Sequence, residues 1–308
     1  METIREIFSA NDSWCEVTSA WAFSMNEVFL YLDMASEEAD KHASLLLRVD
    51  LTSKTPVVAT IQAIDFGALD YVASSADDHW LLVSGGFIHH IHGGNEQFYD
   101  PITDLYLRGF AKGKMEELFL FGEDGAVFSF NAGNAQKLAS PLDDEMLDGH
   151  FIASDKGHVC GTGGALVSWD GQQLRAIDLG GHDEFEAVFS RDDGTLLLGV
   201  NDGTGIVFRN DEVVRIGQAD GGIQAITVFQ GIEYWGDDDF GIYIREGDEL
   251  SEKFETEGAF KLNSTDNVMC TVVGAEVYMF DGTDWIQLHV SPSIENIVTR
   301  VPLDFTPL

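Results

Sequence analysis

Residues 118–130 read LFLFGEDGAVFSF, which is an apolar strand, a turn rich in Gly and acids, and a second strand of alternating polarity. The same plan returns at 158–171 (HVCGTGGALVSWDG) and at 196–208 (LLLGVNDGTGIVF). Four further copies follow at 80–91, 234–244, 269–280 and, with an insertion between its strands, 28–49. Alternation with a period of two is typical of half-buried strands, so the pattern predicts a repeated hairpin.

The copies are regularly spaced along the chain. The last apolar residue of the second strand falls at Val49, Ile91, Phe130, Trp169, Phe208, Ile244 and Phe280. The gaps are 42, 39, 39, 39, 36 and 36 residues, and they average about 38.5. Each unit also has room for two more strands, as at 17–23 before a copy and 57–61 after one. Four strands in about 40 residues are typical of a β-propeller blade.

The sequence therefore predicts an all-β fold, a single seven-bladed β-propeller with four-stranded antiparallel blades over residues 1–308. A β-helix has shorter repeats, and a β-sandwich has no reason to repeat at a fixed interval. The segments Glu2 to Phe8 and Ile294 to Leu303 lie outside the blades, and one is expected to add a strand to the blade that holds the other. The predicted blades are residues 16–63, 69–105, 107–140, 147–178, 185–217, 223–255 and 258–290.

The chain is strongly acidic, with 53 Asp and Glu against 17 Lys and Arg and a formal net charge of -36. Affinity for nucleic acids and for anionic membranes depends on clustered Lys and Arg, so neither is predicted as a partner. The acids are spread over the whole length. This distribution serves solubility or a salty habitat, or else it forms a surface shaped for a cationic partner.

The termini and cysteines bear on the compartment. The first residues, METIREIF, contain acids where a signal peptide needs bases, and no segment approaches the roughly 20 apolar residues of a membrane helix. Three scattered cysteines do not make a disulfide framework. We predict a cytoplasmic protein without a cofactor, monomeric apart from its partner.

Two runs carry a family resemblance. Residues 157–174 (GHVCGTGGALVSWDGQQL) and 277–285 (VYMFDGTDW) resemble repeats of bacterial seven-bladed propellers of the loosely related kelch, WD40 and Asp-box type. The first run has a Gly-Gly pair in the kelch position and a Trp-Asp dipeptide, and the second has a turn similar to an Asp box. The resemblance covers about residues 16–290 and implies the same scaffold, which by itself implies no activity.

The residues give little support for catalysis. A sialidase-like propeller needs clustered arginines, whereas several here lie on predicted outer strands and only Arg108 is near an innermost one. The Gly-x-Ser-x-Gly turn of a Ser-His-Asp hydrolase does not occur. The alternative left open is a hydrolase or lyase acting on a glycan or small substrate at the mouth of the central channel.

Two sets of residues could hold a metal ion. Alternation places His90 and His92 on one strand face and His89 on the other, so the pair with a nearby carboxylate could bind zinc or nickel. The interpretation we favour is a polar outer strand whose histidines are satisfied by hydrogen bonds. The acidic turns at 201–203 and 237–239 could bind calcium, or their Asp and Gly could simply shape hairpin turns. No metal site is predicted.

The loops between second and third strands and the loops between blades share one face of a propeller, and we expect the binding site there. An acidic face with aromatic anchors suits a cationic protein, although an evenly acidic surface would give the same pattern. The candidate binding residues are Glu37, Glu38, Asp40, Glu123, Asp124, Asp143, Asp144, Glu145, Asp148, Asp183, Glu184, Asp202, Tyr234, Trp235, Asp237, Asp238, Asp239 and Phe240.

The function predicted from these features is non-catalytic protein binding. The rigid scaffold, the charge of -36 and the lack of a catalytic constellation favour an immunity or inhibitor protein that neutralises a basic toxin or nuclease. Strong opposite charge would speed such an encounter.

Overall fold

The computed structural model describes residues 2–112, 117–131, 133–293 and 297–303. The chain forms seven antiparallel sheets, and the predicted all-β, seven-bladed β-propeller fold is confirmed. The chain divides into two compact units, which we describe separately. The first comprises Met1–Phe98, Phe229–Gly231 and Lys261–Thr306, and the second comprises Tyr99–Val228, Ile232–Phe260 and Pro307–Leu308. That residues 1–308 form a single domain stays a prediction.

The first unit holds blades 1, 2 and 7 and a short helix, α1 (Glu2–Ser9). Blade 1 consists of β1 (Trp14–Ser24), β2 (Glu27–Ser36), β3 (Lys41–Asp50) and β4 (Val57–Ile64). Blade 2 consists of β5 (Ala68–Ser75), β6 (Asp78–Val83), β7 (Phe87–His92) and β8 (Asn95–Tyr99). Blade 7 has a fifth strand and consists of β25 (Lys261–Ser264), β26 (Met269–Val273), β27 (Glu276–Phe280), β28 (Trp285–Val290) and β29 (Val298–Val301).

The second unit holds blades 3 to 6. Blade 3 consists of β9 (Leu107–Lys112), β10 (Leu118–Gly122), β11 (Val127–Asn131) and β12 (Asn134–Lys137). Blade 4 consists of β13 (Met146–Ala153), β14 (Lys156–Gly161), β15 (Leu166–Trp169) and β16 (Leu174–Ala176). Blade 5 consists of β17 (Phe185–Ser190), β18 (Leu196–Val200), β19 (Thr204–Arg209) and β20 (Glu212–Gln218). Blade 6 consists of β21 (Ile223–Phe229), β22 (Ile232–Asp237), β23 (Gly241–Glu246) and β24 (Glu249–Glu255).

The apolar runs of the repeat form the core between neighbouring sheets. All five residues of β10 are buried, and so are all five of β18, because a second strand in a blade is covered on both faces. Between blades 3 and 4 the rings of Phe119 and Phe151 stack with centroids 3.7 Å apart, and Trp169 packs against Phe119. These aromatic contacts join adjacent blades of the second unit through apolar burial.

The innermost strands of blades 2 to 5 share a β-bulge at their second residue. The ladder skips Leu69, Arg108, Leu147 and Glu186, which are spaced 39 residues apart. A bulge leaves one residue unpaired and redirects its side chain. The bulge therefore gives Arg108 and Glu186 of the second unit equivalent positions at the start of their strands.

The two end segments differ from the sequence-based expectation. The N-terminal segment forms α1, whose Ile4 and Ile7 are buried against blade 1. Their spacing of three residues matches the helical period, so burial favours a helix over a strand. The C-terminal segment pairs with β28 of its own blade, with Val298 opposite Val290. Neither described end segment thus adds a strand to the blade that holds the other.

Candidate functional site

The two loop types that carry most of the predicted acids meet at one end of each blade. In blades 2 to 6, the first residue of the loop between second and third strands donates its N–H to the carbonyl of a residue just before the first strand. These hydrogen bonds run from Ser84 to Gly67, Glu123 to Tyr106, Thr162 to Glu145, Asn201 to Glu184 and Asp238 to Gly222, with lengths of 2.8 to 3.1 Å. A side chain in either loop type therefore lies near the same end of its blade.

Neighbouring blades of the second unit touch through these loops. The N–H of Gly125 in blade 3 donates to the carbonyl of Asp144 before blade 4, at 2.9 Å. A Cβ on Gly164 would lie 2.9 Å from the carbonyl oxygen of Gly181, and one on Gly222 would lie 2.8 Å from that of Asn201. The loop ends of blades 3 to 6 consequently form one continuous surface.

We call this surface the acidic face, and it gathers ten of the predicted residues. Each is exposed or half-buried. Its members are Glu123, Asp124, Asp143, Asp144, Glu145, Asp183, Glu184, Asp202, Asp238 and Asp239.

Two arginines partly neutralise the acidic face. Arg108 pairs with Glu145 at 2.5 Å, and Arg215 pairs with Asp183. The hydrogen bond to Glu145 raises the pKa of the Arg108 guanidinium above its ordinary value. Both arginines are bound to acids of the face, and the other eight acids of the face form no ion pair with a described residue.

Glu186 is a functional candidate that the sequence analysis missed. Burial at the bulge of β17, together with the neighbouring carboxyls of Glu184 and Asp238, raises its pKa to about 7. The Arg108 charge acts in the opposite direction. The signal lay in the repeat, because Glu186 takes the bulge position that holds Leu69 and Leu147 in other blades. This carboxyl can therefore hold or release a proton near neutral pH.

Four of the predicted binding residues lie inside the protein or bind its backbone. Tyr234 and Trp235 are 5% and 0% exposed within β22, so a partner cannot reach these rings. Asp237 is fully buried, and its carboxylate accepts hydrogen bonds from the N–H groups of Gly221, Phe240 and Gly241. Asp148 is half-buried and accepts from the N–H of Val188 in the next blade at 2.8 Å. These four side chains support the loops and are not part of the accessible surface.

The exposed aromatics of the acidic face are partly different from those predicted. Phe240 is 43% exposed, as expected for an anchor, and Tyr106 and Phe260 are each 44% exposed. The Arg108 guanidinium lies 5.2 Å from the centre of the Tyr106 ring. Phe260 follows Ala259, whose N–H donates to the Asp237 carbonyl at 2.6 Å. Tyr106 and Phe260 went unnoticed because each stands alone in its loop, beside no acidic run.

The remaining predicted acids belong to the first unit. Glu37, Glu38 and Asp40 are exposed in the turn between β2 and β3. The N–H of Glu38 donates to the Asp12 carboxylate at 2.8 Å, and the Glu38 carboxylate accepts from the N–H of Asn11 at 3.1 Å. They form a separate acidic turn that we do not include in the acidic face.

Blade 2 brings together the residues that could hold a transition metal. His90 Nε2 lies 2.7 Å and His92 Nδ1 3.5 Å from the same oxygen of Asp78, and the three ligand atoms lie within 4.8 Å of one another. His89 is buried at 3% exposure, so the predicted alternation is confirmed. His90 also stacks on Trp80 with ring centres 3.6 Å apart. Two imidazoles and a carboxylate are ligands that zinc and nickel accept. The hydrogen bond between His90 and Asp78 satisfies these two side chains without a metal ion as well.

The acids considered for calcium serve as turn-forming groups. The Asp202 carboxylate accepts from the N–H of Thr204 at 2.9 Å, which is the local bond of an Asx turn. Both carboxylate oxygens of Asp237 accept hydrogen bonds from backbone N–H groups, which is the role of a turn-forming group.

Comparison with solved structures identifies similar propellers. The WD40 β-propeller domain of Doa1 has a TM-score of 0.69 at 11% identity, over 88% of this chain and 96% of that one. Saccharomyces cerevisiae Sqt1 has a TM-score of 0.63 at 12% identity, over 94% and 96%. YCF48 bound to D1 peptide has a TM-score of 0.56 at 10% identity, over 75% and 82%. At such identities the similarity shows the fold alone.

Sequence comparisons give no further relatives. No protein-family model matches the chain. No curated protein matches it either. Within the part of the chain that the structure describes, no helix has the length and apolar character needed to cross a bilayer.

Proposed function

We propose that this chain is a non-catalytic protein-binding propeller that captures a cationic protein on its acidic face. Within that class, we propose an immunity or inhibitor protein that masks a basic toxin or nuclease. The observation that carries the proposal is the continuity of the face across blades 3 to 6, where backbone contacts join one acidic loop to the next.

The face has the two components of a tight electrostatic interface. Its carboxylates set a negative potential that attracts and orients a basic partner, which raises the association rate. Tyr106, Phe240 and Phe260 supply exposed aromatic area, the type of residue that dominates binding energy at interface centres. Charge would thus set the association rate of the complex, and burial of the aromatic side chains would set its dissociation rate.

The similar structures offer a precedent for the class of function only. One of them, YCF48, holds a peptide named D1. The propeller fold can therefore present a surface to a polypeptide, and which polypeptide this chain binds depends on its own acidic loops.

The test compares two variants with the same change in net charge. The face variant combines Glu123→Gln, Asp124→Asn, Asp143→Asn and Asp239→Asn. The matched control neutralises four exposed acids at the other end of blades 4 and 5, through Asp155→Asn, Asp192→Asn, Asp211→Asn and Glu212→Gln.

We expect the wild type and the control to capture the same basic protein from extracts of the native host, and the face variant to lose it. Addition of the wild type should also block the toxic or nuclease activity of the captured protein. Capture of the same proteins by all three chains, or of no basic protein by any, would contradict the proposal.

A second candidate is an enzyme that uses Glu186 and Glu184 as an acid and base pair. The observation that favours it is the pKa of about 7 at Glu186, which suits proton transfer near neutral pH. The carboxyl of Glu184 hydrogen-bonds to that of Glu186, which suits proton exchange between them, and a glycan is the substrate class to be tested. Turnover of a glycoside by the wild type, abolished by Glu186→Gln, would support this candidate, and its absence over a broad glycoside panel would remove it.

A further inference from the structure

The arginines of this acidic protein fall into two groups. Among nine arginines in the sequence, seven form ion pairs with Asp or Glu. The other two, Arg5 and Arg300, form no ion pair with any residue that the structure describes.

Both unpaired arginines border the same groove in the first unit. The groove has a volume of about 560 Å³ and lies between α1, β3, the segment leading into β4, and β29. Lys54 also borders it, and it too lacks an ion pair within the described residues. Three cationic side chains therefore surround one groove, and none of the described residues that line it carries a carboxylate.

The floor of the groove is apolar, and the hydroxyl-bearing Thr55, Thr60 and Thr299 line the groove beside it. Leu45, Leu47 and Val298 are almost completely buried beneath it, and Ile4 of α1 closes one side. Phe8 and Val58 add half-buried apolar surface at the wall. Water cannot form hydrogen bonds with these apolar side chains, so its replacement by the hydrocarbon part of a ligand is favourable.

The combination defines the chemistry of the ligand. A floor of Leu, Val and Ile favours an alkyl chain, and a rim of two arginines and one lysine favours an anionic head. A volume of about 560 Å³ falls within the range of small-molecule sites. A cationic or purely polar ligand would leave either the rim or the floor unmatched.

We propose that this groove binds a single-chain amphipathic carboxylate, with its alkyl chain on the apolar floor and its head between Arg5, Lys54 and Arg300. The site is distinct from the acidic face, because the described residues that line it all belong to the first unit. The planar guanidinium groups can each donate two hydrogen bonds to a carboxylate, and the lysine adds a point charge.

The first experiment measures binding of dodecanoate to the full chain by isothermal titration calorimetry below the micellar concentration. Dodecan-1-ol and dodecylammonium have the same chain length with a neutral and a cationic head. We expect saturable 1:1 binding of dodecanoate, and at least about tenfold weaker binding of the other two. Equal affinity for all three, or no binding of dodecanoate at millimolar concentration, would overturn the proposal.

The second experiment tests the rim with charge-matched variants. Arg5→Gln and Arg300→Gln should each weaken dodecanoate binding about five- to tenfold, which is the effect of losing one exposed charge-assisted contact. Arg48→Gln is the control, since Arg48 lies on β3 and pairs with Glu27 away from the groove. An equal loss in the control would show a general charge effect and overturn the proposal.

The third experiment separates an external ligand from the chain's own C-terminal residues. A chain that ends at Leu303 is titrated beside the full chain, with circular dichroism to verify that both fold. We expect equal dodecanoate affinity in the two chains. Binding that is seen only after residues 304–308 are removed would assign the groove to the chain itself and overturn the proposal.

Discussion

The acidic face of blades 3 to 6 and the groove beside α1 use charge in opposite ways. On the acidic face carboxylates predominate, and its two arginines are both held by acids. At the groove, the lining residues within the described part of the chain include no carboxylate, and three bases surround an apolar floor. A net charge of -36 thus describes neither region, because the local arrangement of the few bases decides what each surface can bind.

The two regions also arise differently from the sequence. The acidic face is built by turns of the repeat, where Asp and Gly recur because they suit the backbone of tight turns. The groove forms where α1 and β29, which lie outside the repeat, meet β3 and β4 of blade 1. The repeated units form the scaffold and its acidic loops, whereas the groove depends on the two end segments of the chain.

The largest expected effect is on the packing of α1, which forms one wall of the groove. Ile7 of α1 is completely buried against the core of blade 1, so Ile7→Ala should lower the free energy of unfolding by about 3 to 4 kcal/mol. Ile7→Val is the control and should cost about 1 kcal/mol. Urea denaturation measures both. Equal stability of Ile7→Ala and wild type would show that α1 does not dock as described.

This difference in origin explains which parts of the fold and of the candidate site could be predicted from the sequence. The strand pairs recurred locally, so their spacing predicted the seven blades, and the turn residues predicted most of the acidic face. The segment around Ile7 resembles no other part of the chain, so the sequence pattern placed it outside the blades and wrongly suggested that an end segment would add a strand to the blade that holds the other. Tyr234 and Trp235 were placed on the surface because they precede an acidic run, although β22 buries them as a second strand of a blade.

The next effect concerns the backbone that carries the acidic face. A Cβ on Gly161 would lie 1.9 Å from the carbonyl oxygen of Glu145, so Gly161→Ala must displace one loop of the face. We expect a loss of about 3 kcal/mol in the free energy of unfolding. Gly180→Ala is the control, because its Cβ would meet nothing within 4 Å and only its positive φ opposes the change, at about 1 kcal/mol. Similar losses in the two variants would contradict the close loop contact.

A smaller effect should distinguish a structural acid from a surface acid within residues 237–239. Asp237→Asn replaces a buried carboxylate oxygen by an N–H donor facing the N–H of Gly221, which should cost about 2 kcal/mol of stability. Asp239→Asn, two residues along the same loop, is exposed and should change stability by less than about 0.5 kcal/mol. Thermal denaturation followed by circular dichroism compares them. Equal melting temperatures would remove the structural role of Asp237.

The smallest effect is a pH dependence at the acidic face. The folded pKa of Glu186 is raised to about 7 from the ordinary value of 4.5, so the folded protein holds this proton more tightly than the unfolded chain. Its contribution to stability is present below pH 4.5 and is lost as the pH rises to about 7.

Glu186→Gln keeps a neutral side chain at every pH. It should match wild type below about pH 4.5 and exceed its stability above about pH 7, by about 1 kcal/mol after allowance for solvent screening of a half-exposed group. Glu212→Gln, at the start of β20 and at the other end of blade 5, is the charge-matched control. A difference between Glu186→Gln and wild type that stays constant from pH 4 to pH 8 would contradict the raised pKa.

The central claim is that the acidic face captures a cationic protein by electrostatic complementarity. The most direct measurement is the salt dependence of Kd between the captured basic protein and the wild type, the fourfold face variant and the fourfold control variant. We predict that Kd rises steeply with salt for the wild type and the control, and that the face variant binds at least about a hundredfold more weakly at low salt with a flatter dependence. A Kd that is insensitive to salt, or an equal loss of affinity in both variants, would contradict the claim.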